Sequence, residues 1–173
     1  LSQTGAGRTN GQTFNLRGYD KSGVLVLVDG IRQLSDMAKS SGTYLDPALV
    51  KRIEVVRGPN SSLYGSGGLG GVVDFRTADA ADFLPPGETN GLSLWGNIAS
   101  GDHSKGSGLT WFGKTGKTDA LLSVIMRKRG NIYQSDGERA PNKEKPAALF
   151  AKGSVGITDS NKAGASLRLY RNN

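Results

Sequence analysis

The sequence predicts an α+β domain followed by antiparallel transmembrane β-barrel strands, and three observations carry that fold class. Residues 1–77 mix short apolar runs with glycine-rich turns and one helix start. Residues 91–173 hold consecutive amphipathic segments of about ten residues, longer than the five or six usual for a strand in a soluble sheet. Glycine makes up 26 of 173 residues and the hydrophobic fraction is only 36%, whereas glycine is ordinarily about 7%. No apolar run approaches the ~18 residues of a membrane-spanning helix, a test that does not reach β-strands.

The first sixteen residues, LSQTGAGRTNGQTFNL, are polar and read as a loosely packed segment delivering a short strand at 13–17. After the turn cluster 18–23, Val24–Val28 is a continuous β-branched run, the pattern of a strand buried on both faces. Asp29-Gly30 supplies a hairpin turn and Ile31 begins the return. Residues 34–44 hold no period and read as a loop at one end of the domain. Asp46-Pro47 is a helix start, a carboxylate cap followed by proline at the first helical position. That helix must be short, because Ile53-Glu54-Val55-Val56 reads as a strand. Gly58-Pro59 breaks the chain, and a polar turn follows. The run Gly65-Ser66-Gly67-Gly68-Leu69-Gly70-Gly71 then enters a second apolar strand at 72–75. Such glycine density implies close backbone packing or φ angles closed to other residues, at Gly65, Gly67, Gly70 and Gly71 in particular.

Residues 78–90 carry two prolines and three acidic residues without period, which suggests a linker. Five segments follow, 91–100, 107–115, 119–129, 147–158 and 164–171. Each sets residues such as Leu92, Leu94, Leu122, Val124 and Leu167 against polar neighbours. Tight turns alternate with longer connections, of which 130–146 is the longest, as in an outer-membrane barrel. Lys114, Arg127, Lys152 and Arg168 fall on the polar face, which in such a barrel is the interior. A soluble basic β-protein binding nucleic acid is the alternative left open by the net charge of +7. The cations are scattered, however, and few aromatics lie among them to stack on bases.

Enzyme chemistry finds little support. With no cysteine there is no thiol nucleophile or zinc-thiolate site. Gly65-x-Gly67-x-x-Gly70 has the letters of a dinucleotide fingerprint, but a strand follows it where that motif needs a helix. His103 is the sole histidine, in a turn, with nothing to mark a nucleophile beside it. No metal-ligand spacing appears, so the expected catalytic and metal sites are none. Arg17 and Arg57 each precede a glycine at a strand end. Taken alone they read as surface residues; at the edge of a packed domain they could pair bidentately with carboxylates of a surrounding wall.

The residues Arg8–Gly18, Val26-Leu27-Val28-Asp29-Gly30 and Val50–Pro59, with Leu63-Tyr64-Gly65 and Gly70-Gly71-Val72, resemble the plug of TonB-dependent outer-membrane receptors. Leu45–Arg52, Gly101-Asp102-His103-Ser104 and the stretch from Arg129 through Asn142 are similar to haem and haemoglobin receptors within that family. The resemblance implies a plug at 1–80, a linker at 81–90 and the first five strands of a barrel of about 22 strands at 91–173, in the size range of such barrels. The chain starts at Leu1 and ends on Arg171-Asn172-Asn173, and is expected to be a fragment.

It further implies TonB-energised import across the outer membrane of a Gram-negative bacterium. The expected partners are the TonB complex, outer-membrane lipid and haem or a host haem protein, with haem as cargo rather than a covalent cofactor and a ferric siderophore as the alternative. Arg17 and Arg57 become a lock onto barrel glutamates, and Met37, Lys39 and Tyr44 a ligand-facing plug loop. One departure stands out: Lys39 occupies about the place where haem receptors often carry a plug histidine.

Overall fold

The computed structural model describes residues 2–4, 13–19, 23–33, 45–59, 61–133, 139–140, 143–158 and 160–173. Two compact units divide the chain, Leu1–Ala78 and Asp79–Asn173. No helix among the described residues is long and apolar enough to cross a membrane.

The first unit opens with a ribbon of β1 (Ser2–Thr4) and β2 (Thr13–Asn15), antiparallel with Ser2 opposite Asn15. The polar composition of residues 1–16 hides β1, because such a short strand is fixed by its partner and not by its own residues. The main sheet is built from β3 (Val24–Val28), β4 (Ile31–Arg32), β5 (Val50–Arg57) and β6 (Gly71–Thr77), in the order β4-β3-β6-β5. β3 and β6 run parallel at the centre, with antiparallel strands outside them. The unbroken apolar run of β3 is needed because both its faces are covered. Val24 and Val73 pack with Leu16, Phe14 and Phe75 on one face, and Leu25, Leu27 and Val72 cluster on the other. Asp29 and Gly30 both have positive φ, 52° and 79°, the conformation a two-residue hairpin turn requires.

The helix expected at Asp46-Pro47 is a single 3₁₀ turn, Pro47–Leu49. Asp46 caps it, its carboxylate accepting from the Ala48 N–H at 2.9 Å. The helix stops there because Val50 already pairs with Thr77 in the sheet. A one-turn helix, α1 (Ser61–Tyr64), occupies the polar turn after Gly58-Pro59.

The second unit is one antiparallel meander. Its strands are β7 (Asn90–Ala99), β8 (Ser104–Thr115), β9 (Thr118–Lys128), β12 (Ala147–Gly156) and β13 (Lys162–Arg171). They lie in the order β13-β12-β9-β8-β7. A small hairpin of β10 (Ile132–Tyr133) and β11 (Arg139–Ala140) rises within the long connection. Register puts Leu92 opposite Trp111, Trp111 opposite Leu122, Leu122 opposite Ala151 and Ala151 opposite Leu167. The face that carries this row is exposed: Leu92 is 64%, Leu94 78% and Met126 60% accessible. The opposite face holds the buried Phe112, Leu121, Ile125 and Phe150, and a buried hydroxyl pair, Thr110 and Ser123, at 2.9 Å. Inside the stretch read as a linker, a 3₁₀ turn at Ala80–Asp82 buries Ala80, and Phe83 stacks on Phe112 with ring centroids 5.2 Å apart.

Candidate functional site

Two polar corners mark the first unit, and they differ in how their charges are met. One is a ladder across β5 and β6. Glu54 lies opposite Asp74 and Arg52 opposite Arg76, so like charges face each other in register. Diagonal pairing relieves this. Arg76 reaches Asp74 at 3.1 Å and Glu54 at 3.5 Å, and Arg52 reaches Glu54 at 2.6 Å. Asp74 also accepts from the Gly30 N–H at 3.2 Å, while Asp29 accepts from the Thr77 N–H at 2.8 Å and the Thr77 hydroxyl at 2.5 Å. These bonds tie the β3–β4 turn to the end of β6.

The other corner gathers Arg17 and Arg57. Arg17 does not end a strand; it is the first residue of a tight turn, with φ 57° followed by Gly18 at 82°. Leu16 and Tyr19 close that turn with reciprocal backbone bonds of 2.9 and 3.1 Å. A left-handed arginine costs about 1 kcal/mol or more, so the surrounding packing must hold it there. Arg57 is the last residue of β5. Its neighbour Gly58 donates to the Gly70 carbonyl at 3.1 Å, and Gly70 donates to the Gly23 carbonyl at 2.8 Å.

Gly70 and Gly71 are the meeting point of the two arginine segments. A Cβ on Gly70 would lie 2.8 Å from the Leu16 carbonyl oxygen and 2.7 Å from Tyr19 Cβ. A Cβ on Gly71 would collide with the Val56 carbonyl oxygen and sit 3.3 Å from Arg57 Cα. Gly65 and Gly67 differ: they take φ of 81° and 101° in the loop after α1, where a side chain at Gly67 would approach the Arg32 guanidinium at 3.1 Å. Both arginine side chains are exposed, and among the described residues neither forms an ion pair. The ladder is internally neutralised, and among the described residues this corner shows no such pairing. Met37, Lys39 and Tyr44 lie outside the described residues.

On the second unit's polar face, Arg127 sits over the Trp95 ring at 4.8 Å. Lys152 pairs with Asp79 at 2.9 Å and Lys162 with the buried Asp119 at 2.6 Å. The register of β8, β9, β12 and β13 puts Lys114, Arg127, Lys152 and Arg168 together on this one face. Sequence alternation pointed to that face, but not to the ion pairs, whose partners lie in other segments. His103 is in the left-handed region, φ 51°, in the turn between β7 and β8. No cluster of three or more metal-ligating side chains occurs among the described residues.

Residues 1–72 match the TonB-dependent receptor plug domain family. A hemin receptor of Yersinia enterocolitica is 52% identical over 172 residues, which is 99% of this chain and 25% of the relative. A heme/hemopexin utilization protein C of Haemophilus influenzae (strain 86-028NP) is 41% identical over 90 residues, 52% of this chain and 13% of its own length. Among solved structures, the FrpB iron transporter from Neisseria meningitidis (F3-3 variant) superposes with a TM-score of 0.80 at 26% identity, covering 94% of this chain and 26% of that one. The chain thus spans about a quarter or less of the length of these relatives. A plug-domain match over residues 1–72, 52% identity to one receptor across 99% of this chain and a fold shared with another lead to one conclusion: the chain carries the plug domain of the TonB-dependent receptor family.

Proposed function

We propose that this chain is the plug, at 1–80, a linker, at 81–90, and the opening wall, at 91–173, of an outer-membrane transporter that takes up haem with energy supplied through TonB. The observation that carries the transporter reading is the inverted second sheet, whose large apolar residues face outward along the whole width from Leu92 to Leu169. In water such a face is a liability, and in lipid it is the solvent-matched side. A soluble nucleic-acid-binding protein would have to hide it. The wall would close as a barrel of about 22 strands, within the known range. The reading assigns the protein no catalytic step.

Haem as the cargo rests on the 52% identity to a hemin receptor across nearly the whole chain. A ferric siderophore is the second reading, favoured by the lysine at position 39 where a histidine ligand would suit haem. In this mechanism the exposed Arg17 and Arg57 lock onto carboxylates of the barrel wall. The test is a haem titration of the full-length receptor read from the Soret band, with growth on haem as sole iron source in cells with and without TonB. A saturable shift and TonB-dependent growth are expected. No saturable shift removes haem, and growth indifferent to TonB removes energised import.

A further inference from the structure

The outward face of the second sheet is neutral except at one end. On the strand positions sharing that face, the charged residues are Lys105, Lys128 and Arg171, all cations and all at the end where the 100–103 turn and the long connection lie. Lys105 and Lys128 are directly opposite each other across β8 and β9. Like charges so placed repel, and among the described residues no carboxylate pairs with either. Arg127 does not join them, because its guanidinium is on the other face over Trp95.

Beside the two lysines the surface dips. Gly96 lies opposite Ser107, and this small pair lines a shallow, open depression together with Asn97, Gly106 and Arg127. Its walls are Ile98 and Met126, 79% and 60% exposed, and its rim is Lys105 and Lys128. The depression therefore sets apolar side chains beside two cations at the end of the apolar face. A lysine pair placed only to mark the band edge would need no depression beside it.

We infer that this depression holds a phosphate-bearing lipid of the outer leaflet, one acyl chain lying over Gly96 and Ser107 and the headgroup phosphate held between Lys105 and Lys128. The inference rests on the membrane reading of the second sheet and is independent of the cargo. Charge complementarity selects the headgroup, and continuity with the exposed leucine rows selects a lipid over free phosphate.

Two variants of the full-length receptor test it, both with the detergent-purified protein and native mass spectrometry. The probes are bis-phosphorylated lipid A, its dephosphorylated counterpart with the same acyl chains, and inorganic phosphate. Lys105→Glu/Lys128→Glu reverses the charge of the pair. Gly96→Leu fills the depression without altering charge, and the backbone has room, since a Cβ there meets only the Gly106 carbonyl oxygen at 3.8 Å. The double charge reversal is expected to weaken retention of the phosphorylated lipid at least thirtyfold, about the value of two lysines near an anionic surface. Gly96→Leu should weaken it about tenfold, roughly what loss of a few buried methylenes costs.

The dephosphorylated lipid should bind the native protein as weakly as the charge-reversed one binds the phosphorylated form. Equal retention by all three proteins overturns the site. So does a loss confined to the charge reversal, which means surface attraction alone, and so does equal competition by inorganic phosphate, which means an anion site without a lipid. Heat-modifiable migration of the unboiled protein separates the two readings: if it is absent from the native protein, the barrel reading itself fails, and if it is present while retention is unchanged, only the lipid site does.

Discussion

Replacing Gly71 by alanine is expected to open the plug sheet at the arginine corner. The added Cβ would meet the Val56 carbonyl oxygen of the neighbouring strand and lie 2.6 Å from Leu16 Cδ2, with the residue held at φ 143°. Backbone in a sparsely populated region costs about 1–3 kcal/mol for a residue with a side chain. Overpacking against backbone, which cannot rotate away, adds about 1–3 kcal/mol. Taking ~3 kcal/mol together, a local opening equilibrium would rise about 150-fold, since each 1.4 kcal/mol is about tenfold. The assay is amide hydrogen exchange of the full-length receptor at Val55, Val56 and Val72, whose bonds cross the affected seam. Gly101→Ala is the matched control, because nothing lies within 4 Å of a Cβ there; surface changes of that kind usually stay within ~0.5 kcal/mol. Exchange at Val55 and Val56 that is no faster in Gly71→Ala than in Gly101→Ala would refute the claim that backbone contact at this glycine organises the corner.

Arg57→Ala in the full-length receptor should loosen the plug and raise leak of large antibiotics across the outer membrane, measured as increased sensitivity; unchanged permeability would sink the lock role. Asp46→Ala should destabilise the first unit by about 1–2 kcal/mol, because the lost cap leaves a turn N–H unsatisfied at a residue only 1% exposed, and proteolysis near Leu49 would report it. Ser123→Ala strands the buried Thr110 hydroxyl and should cost about 1–2 kcal/mol in unfolding of the barrel wall, while Thr110→Val/Ser123→Ala should recover part of that, because both partners then become apolar. Lys152→Ala should change stability by less than about 1 kcal/mol, since its partner Asp79 is partly exposed and screened.

What could be read from the chain divides along a physical line. Strands whose burial is decided by their own residues were legible: Val24–Val28 is apolar throughout because both faces are covered, and Leu122, Val124 and Met126 alternate with Ser123 and Arg127 on the other face. Asp29-Gly30 was legible because two positive φ angles admit few residue types. Elements held by distant partners were not. Nothing in Ser2-Gln3-Thr4 announces a strand, and its pairing partners lie nine to thirteen residues on, at Thr13–Asn15. Asp46-Pro47 states where a helix begins but not that Val50 will be claimed by Thr77 after three residues. Arg17 and Arg57 stand forty residues apart in the sequence, and only the two close-packed glycines at Gly70 and Gly71 bring their segments together. The composition of 78–90 spoke for a linker, and the aromatic stack of Phe83 on Phe112 could not be foreseen from it.

The two units place their large side chains by opposite rules. In the first, apolar residues gather where two sheet faces are covered, and the charges are driven to the sheet ends. In the second, the leucines take the exposed face, and the cations Lys114, Arg127, Lys152 and Arg168 take the face that also carries buried hydroxyls. A lysine or arginine on the outward face would cost about 2–4 kcal/mol at the midplane of a bilayer and little at its edge. The observed placement obeys that gradient, because between Leu92 and Leu169 the outward positions carry no charge until the strand ends. It obeys it asymmetrically, since the outward cations all stand at one end and none at the other. Avoidance of hydrocarbon explains why the middle is neutral, and would be served equally by charges at both ends. The lipid site inferred above accounts for the one-sided cluster, because it requires cations only on the side of the long connection.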